Sequence, residues 1–331
     1  MKKLFFICFL LNAVVPAYAD ESADVQALLQ KIQIASKKMN YVGTFVFQEN
    51  DQLVSSQIFH RYDAGDEEEK IEKLDGRRRE YIRHNEDIAS YQPDTKTLRT
   101  EKRQEQDMFP AVLAFNAANL SDHYQFKLAE VDRVAGVDCR MVIIEPKDTL
   151  RYGYRLCAAI PNNLMVLAQT TDLKNQVLEQ IAFTSLKFER VDTVNLKTSF
   201  SDITGWKTVR GAVAISTESG WMVKALPPGF KKMREVRRLL NMNAVSTNLS
   251  ASSSKKTADL HEVLQMVFSD GLASISVFVE PVNTARQPGI IQKGATTISE
   301  FQLGNFGITV VGEVPVAAIK LLSDSIEYKP K

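Results

Sequence analysis

The sequence predicts an α+β protein in two parts: a large antiparallel sheet that curls around an apolar interior, followed by a smaller antiparallel α+β domain. Three observations carry this. About ten runs of period-two hydrophobicity, divided by turn residues, fill the first 190 positions alongside only two helical stretches. Periodicity is then lost over Thr193 to Gly211. Beyond it come two further hairpins and one amphipathic helix.

The first nineteen residues stand apart. Lys2-Lys3, the apolar run Leu4 to Val15 and Ala17-Tyr18-Ala19 follow the order of a secretory signal, so cleavage after Ala19 is expected. Asp24 to Met39 carries Val25, Leu28, Leu29, Ile32, Ala35 and Met39 at helical spacing, with Ser22 as N-cap. From Tyr41 the period changes to two, with Tyr41, Gly43, Phe45 and Phe47 on one strand face and Leu53 to Tyr62 as the next strand. Glu67 to Leu74 and Arg77 to His84 flank Asp75-Gly76, and a two-residue turn there would set Glu72 against Arg79 and Glu68 against Arg83.

Strand-like runs follow at Ile88 to Gln92, Thr97 to Lys102, Tyr124 to Asp132, Leu164 to Asp172 and Val177 to Phe188, with a helix near Pro110 to Asn119. Val137 to Glu145 and Arg151 to Ile160 form a hairpin around residues 146–149. A symmetric turn would place Cys139 directly opposite Cys157 and Glu145 opposite Arg151. A disulfide there stabilises by about 3 kcal/mol on the chain-entropy model; two inert buried thiols are the alternative. Such a sheet is either a closed barrel or an open half-barrel covered by helices.

These elements give domains at 20–195 and 215–331 with a linker at 196–214. The second domain holds Thr217 to Leu226, a Pro227-Pro228-Gly229 break and a Ser-rich insert from Asn241 to Ala258. It continues with the hairpins His261 to Glu280 and Thr297 to Val314, and a helix begun by Pro315.

Composition excludes several function classes. With 44% hydrophobic and 24% charged residues the chain is a folded protein rather than a disordered one. Without Lys2 and Lys3, 39 of the 41 basic residues remain against 40 acidic ones, so no global charge favours nucleic acid or anionic lipid. Local signatures of a nucleophile elbow, a phosphate loop or a dinucleotide fingerprint are missing, and Gln265 stands where a zincin helix after His261-Glu262 needs its second histidine. A binding protein without metal or cofactor is therefore expected rather than a periplasmic hydrolase, which would need a convergent polar site.

Two features suit binding. Tyr41, Phe45, Phe47, Phe59 and Tyr91 would line a cavity for an acyl chain, with ordinary core packing as the competing reading. Lys231, Lys232, Arg234, Arg237 and Arg238 form the densest basic cluster, suited to an acidic protein segment or a lipid phosphate, or else a solvated helix face.

Several stretches together resemble the MucB/RseB family of periplasmic regulators: Tyr41-Val42-Gly43-Thr44-Phe45, Leu74-Asp75-Gly76 with Arg79-Glu80 and Arg83, Arg133 to Gly136, and Arg151-Tyr152-Gly153-Tyr154-Arg155. In the second domain Leu226 to Phe230, Phe268-Ser269-Asp270-Gly271-Leu272 with Ser276-Val277-Phe278, and Val311-Gly312-Glu313-Val314-Pro315 fit the same family. The resemblance implies a half-barrel like those of the lipoprotein carriers LolA and LolB, and no catalytic residues. It implies a partner, the periplasmic region of a membrane anti-sigma factor of the RseA/MucA kind, shielded from the site-1 protease DegS. Lipopolysaccharide or lipoprotein acyl chains would displace the regulator and so activate the envelope-stress sigma factor. A periplasmic carrier of lipoprotein or another amphiphile is the alternative. The choice between monomer and homo-oligomer stays open.

Overall fold

In the computed structural model, residues 21–102, 120–210, 213–214, 219–240, 261–282 and 287–329 are described. The signal segment, the Pro110 to Asn119 helix and the Asn241 to Ala258 insert lie outside them. The chain opens with helix α1 (Glu21–Lys38), then strands β1 (Tyr41–Glu49), β2 (Gln52–Asp63), β3 (Asp66–Lys73), β4 (Glu80–His84), β5 (Asp87–Gln92) and β6 (Thr97–Lys102). A short helix α2 (Leu120–His123) leads into β7 (Tyr124–Val134), β8 (Val137–Pro146), β9 (Gly153–Ala159), β10 (Met165–Thr171) and β11 (Val177–Lys187). Together with β12 (Lys207–Arg210) they form a twelve-stranded sheet ordered β12-β6-β5-β4-β3-β2-β1-β11-β10-β9-β8-β7. The terminal strands β12 and β7 do not pair with each other, so the curled sheet is an open half-barrel.

Helix α1 fills one face of this sheet. Val25, Leu29 and Ile32, fully buried, pack with Val142, Ile144, Tyr154 and Leu156 as their helical spacing requires. On the same face Tyr41, Phe45 and Phe183 form a second cluster.

The smaller domain is a seven-stranded sheet ordered β13-β15-β16-β17-β20-β19-β18. Its strands are β13 (Val213–Ala214), β15 (Lys231–Leu240), β16 (His261–Ser269), β17 (Ser274–Pro281), β18 (Gly289–Lys293), β19 (Thr296–Leu303) and β20 (Phe306–Gly312). Helix α3 (Val316–Ser323) follows Pro315 and buries Ala318, Ile319 and Leu322 against Met266, Ile275, Val277 and Ile308. β14 (Trp221–Val223) and β21 (Ile326–Tyr328) form a separate ribbon. Alternating runs predicted the β16–β17 and β19–β20 hairpins and the proline-started helix, all present.

Three expectations of register need correction. The Asp75-Gly76 turn is wider than two residues because the Asp75 carboxylate accepts from the Ser55 backbone N–H at 2.6 Å, and Leu74 N–H is spent on Ser55 O. Pairing then slips by one, so Glu72 faces Glu80 and Arg83 faces Glu69. Arg83 pairs with Glu67 at 2.7 Å and Glu69 at 3.4 Å, while Glu68 is held by Arg61. In the β8–β9 hairpin the offset is two: Cys139 faces Ala159 and Cys157 faces Met141. An even offset keeps both sulfurs on one face, and the disulfide forms across 5.4 Å between Cα atoms. Glu145 pairs with Lys127 rather than Arg151.

The stretch read as a linker is structured at its start and pinned to the sheet face opposite α1. Thr198 and Ser199 donate to the fully buried Glu80, Phe200 lies under Arg78, and Trp206 packs on Phe200 and Tyr91. β12 then adds to β6 in parallel.

Candidate functional site

The two domains meet around one buried arginine. Arg151, at the foot of β9, has no solvent exposure. Its Nη1 donates to Asp270 Oδ2 at 2.7 Å, its Nε to Asp148 at 3.1 Å and its Nη2 to Pro228 O at 2.6 Å. The guanidinium lies over Tyr124 from the large domain and Phe230 from the small one. Asp270 comes from the β16–β17 turn, where its other oxygen accepts from the Leu272 and Ala273 backbone N–H groups. Tyr124 Oη donates to it as well, at 2.9 Å, and burial pushes the Tyr124 hydroxyl pKa well up.

The turn is therefore a plug. It carries a charge into the large domain, meets the opposite charge there, and seats Leu272 in the apolar cluster beneath α1. Gly229, at φ +83°, approaches His123 so closely that a Cβ would stand 2.3 Å from its ring, so only glycine fits.

Beside the plug opens a pocket of about 160 Å³. Cross-strand pairing places Tyr154, Thr170, Glu179 and Glu49 in one row over β9, β10, β11 and β1, with Phe47, Ile181 and Ala168 beneath. Thr296 and Glu313 of the small domain close it. Burial pushes the Glu179 pKa up to about 7, helped by the nearby Glu313 charge and partly opposed by the Thr170 hydroxyl. Lost hydration also raises Glu313, but solvent still reaches that side chain, so the cost of charging falls mainly on Glu179. Lys293 pairs with Glu49 at 2.5 Å. The Tyr154 hydroxyl, on a ring 3% exposed, has no hydrogen-bond partner.

Comparison with known proteins accounts for both domains. The MucB/RseB N-terminal domain family matches residues 24–200 and the MucB/RseB C-terminal domain family matches residues 216–327. The chain belongs to the MucB/RseB family. It is 26% identical over 339 residues to the sigma-E factor regulatory protein RseB of Salmonella typhimurium, covering 99% of each. It is 26% identical to the sigma factor AlgU regulatory protein MucB of Pseudomonas aeruginosa, covering 97% of this chain and 96% of that one. Among solved structures it is similar to the Pseudomonas aeruginosa MucA/MucB complex, with a TM-score of 0.70 and 25% identity over 93% of this chain and all of that one. A structure of MucB alone matches with a TM-score of 0.64 at 25% identity, over 93% and 98% of the two chains. The family consists of regulatory binding proteins, not enzymes.

Four of the stretches that carry the MucB/RseB resemblance converge on the interface just described. Arg151 to Arg155 supplies the guanidinium and the Tyr154 hydroxyl, and Leu226 to Phe230 supplies Pro228 O, Gly229 and Phe230. Phe268 to Leu272 supplies the plug, and Val311 to Pro315 supplies Glu313. None of these was singled out by the sequence as a site; the shared signal was a set of short motifs without a common periodicity.

The aromatic candidates divide between two sheet faces. Tyr41 pairs with His60 across β1–β2, so Phe59, one residue on, points the other way, and the Gln57–Glu72–Glu80–Tyr91 row shares its face. Tyr41 and Phe45 are buried in the cluster with Phe183, Phe47 lines the pocket, and Tyr91 packs under Trp206. The basic cluster lies on strand β15 rather than a helix. Strand alternation after the bulge at 232–234 puts Arg234 on one face with Val236 and Arg237 on the other; Lys231, Lys232 and Arg237 are exposed, Lys232 pairs with Glu235, and the Arg238 side chain lies outside the described residues. Among the described residues no helix is long and apolar enough to cross a membrane.

Proposed function

We propose that this chain is an exported, periplasmic regulator that binds the periplasmic region of a membrane anti-sigma factor and shields it from site-1 proteolysis. The observation that carries this is membership of both domains in a family whose relatives are named sigma-factor regulators, one of them solved in complex with MucA. The fold supports it physically. A two-domain clamp with a hydrogen-bonded, partly open seam offers an extended segment more contact than either domain alone, and binding there buries the bonds a protease must reach.

Release is assigned to lipid. Acyl chains of lipopolysaccharide or mislocalised lipoprotein enter along the α1-covered face that carries Tyr41, Phe45 and Phe47. Phe59 and Tyr91, on the opposite face, drop out of that role. Lys231, Lys232 and Arg237, all exposed, offer basic contacts for acidic parts of the segment.

A cleavage assay tests the reading. The mature chain from Asp20 onward is added to the anti-sigma periplasmic fragment and the site-1 protease. Protection that is lost on adding lipopolysaccharide or a lipoprotein is expected. Equal cleavage with and without the chain would remove the regulator and leave the amphiphile carrier.

A further inference from the structure

We propose that the pocket lined by Glu179, Glu313 and Tyr154 is a socket for one basic side chain, a guanidinium or ammonium group, of the captured segment. The proposal rests on the partner reading above and says which chemistry that partner presents at the seam.

Two independent observations carry it. The first is charge without a counter-ion. Glu179 and Glu313 come from different domains into one pocket, and Glu49 continues the acidic row. Lys293 neutralises Glu49, whereas among the described residues neither Glu179 nor Glu313 has an ion-pair partner. The Thr170 hydroxyl and the Ala295 N–H reach Glu179, and both are neutral donors. The second is the orphaned Tyr154 hydroxyl, buried in the pocket wall with nothing to bond. A buried hydroxyl without a partner is costly, so an occupant that donates to it is expected.

The size and the donor set select the occupant. About 160 Å³ holds roughly five waters, which matches a guanidinium head with its last methylene. Phe47, Ile181 and Ala168 give the methylenes an apolar floor. The planar fork can bond a carboxylate on each side and donate to the hydroxyl. A metal ion is disfavoured because no group of three His, Cys, Asp or Glu residues among those described is placed to hold one. Near pH 7 Glu179 is only partly ionised, so a cation that binds beside it displaces the remaining proton and binding strengthens as pH rises.

Two probes test the socket in the full mature chain. Ethylguanidinium is titrated while amide shifts of Ala168, Thr170 and Thr296 are followed by NMR at pH 8, in the wild type, Glu179→Gln and Tyr154→Phe. Saturable shifts confined to the pocket are expected, weakened at least about five-fold by Glu179→Gln. Absent shifts, or shifts indifferent to both variants, overturn the socket.

In parallel the anti-sigma fragment, unaltered and with each of its own lysines and arginines changed in turn to methionine, is titrated into the same three proteins. Glu179→Gln is expected to weaken binding about ten- to hundred-fold, with one basic position of the fragment losing little further affinity in that background. If the fragment binds all variants equally, the socket is wrong and the partner reading stands. A fragment that binds no form sinks the partner reading, and the ethylguanidinium titration then decides the socket alone. A single cooperative melting transition in both variants confirms that they fold.

Discussion

The side chains of Arg151 and Asp270 are both fully buried and their charges come from different domains, so each offsets the other, with Asp148 as a second, half-buried carboxylate on Arg151. Asp270→Asn is the discriminating change, since the amide oxygen still caps the Leu272 and Ala273 N–H groups while the charge facing Arg151 is gone. A loss of roughly 2–4 kcal/mol in urea unfolding is expected, most of which Arg151→Met in the same chain restores. Additive losses would show that the pair is not coupled. Glu179 gives a second test whose sign follows from its shift. With a folded pKa of about 7 against the usual 4.5, the folded protein holds the proton more tightly than the unfolded chain. That stabilisation is complete below about pH 4.5 and is lost as pH rises through 7. Melting measured from pH 5 to 8 is therefore expected to fall more steeply for the wild type than for Glu179→Gln, the difference reaching on the order of 1–3 kcal/mol. Parallel profiles would place Glu179 in solvent.

At the scale of elements, the β8–β9 hairpin carries the most direct stability prediction. Its disulfide closes a loop with a sequence separation of 18, so Cys139→Ser with Cys157→Ser is expected to cost the large domain about 3 kcal/mol, read from chemical unfolding with and without reductant. A reduced wild type as stable as the oxidised one would refute this. The same hairpin shows what the sequence makes legible. Alternation announced β8 and β9, and the amphipathic spacing of Val25, Leu29 and Ile32 announced α1, because burial on one face imposes those periods directly. Register was not legible. It depended on a carboxylate at Asp75 choosing the Ser55 N–H of a third strand, and on turn residues 146–152 being drawn toward Arg151 and the other domain. Faces follow register, so aromatic content alone groups Phe59 and Tyr91 with Tyr41 although they lie on the opposite side. The pocket was hidden for the same reason: Tyr154, Thr170 and Glu179 are neighbours only once three strands are aligned. A run of basic residues on a strand splits between faces, whereas the same run on a helix could share one, so Arg234 and Arg237 lie on opposite faces of β15.

At the scale of the whole molecule the proposed function raises the question of how a lipid on one face of the half-barrel would lower the grip on a peptide at the seam. The two proposed sites share elements: β1 carries Tyr41 and Phe45 toward the α1 side and Phe47 and Glu49 into the seam, while α1 packs in the same cluster as the plug residue Leu272. An acyl chain that displaces α1 from that cluster removes the seat of Leu272, so it favours the state with the plug withdrawn; a peptide clamped at the seam favours the plug inserted. Coupling of this kind is reciprocal. If lipid weakens fragment binding by a factor of about 5–150, the fragment weakens lipid binding by the same factor. Asp270→Asn biases the same equilibrium without touching either ligand, since it weakens insertion alone. The variant is therefore expected to bind the anti-sigma fragment less tightly and lipid more tightly than the wild type, measured by titration of each ligand separately. If both affinities fall together, or only one moves, the plug is a static joint and release must act through direct competition for a common surface.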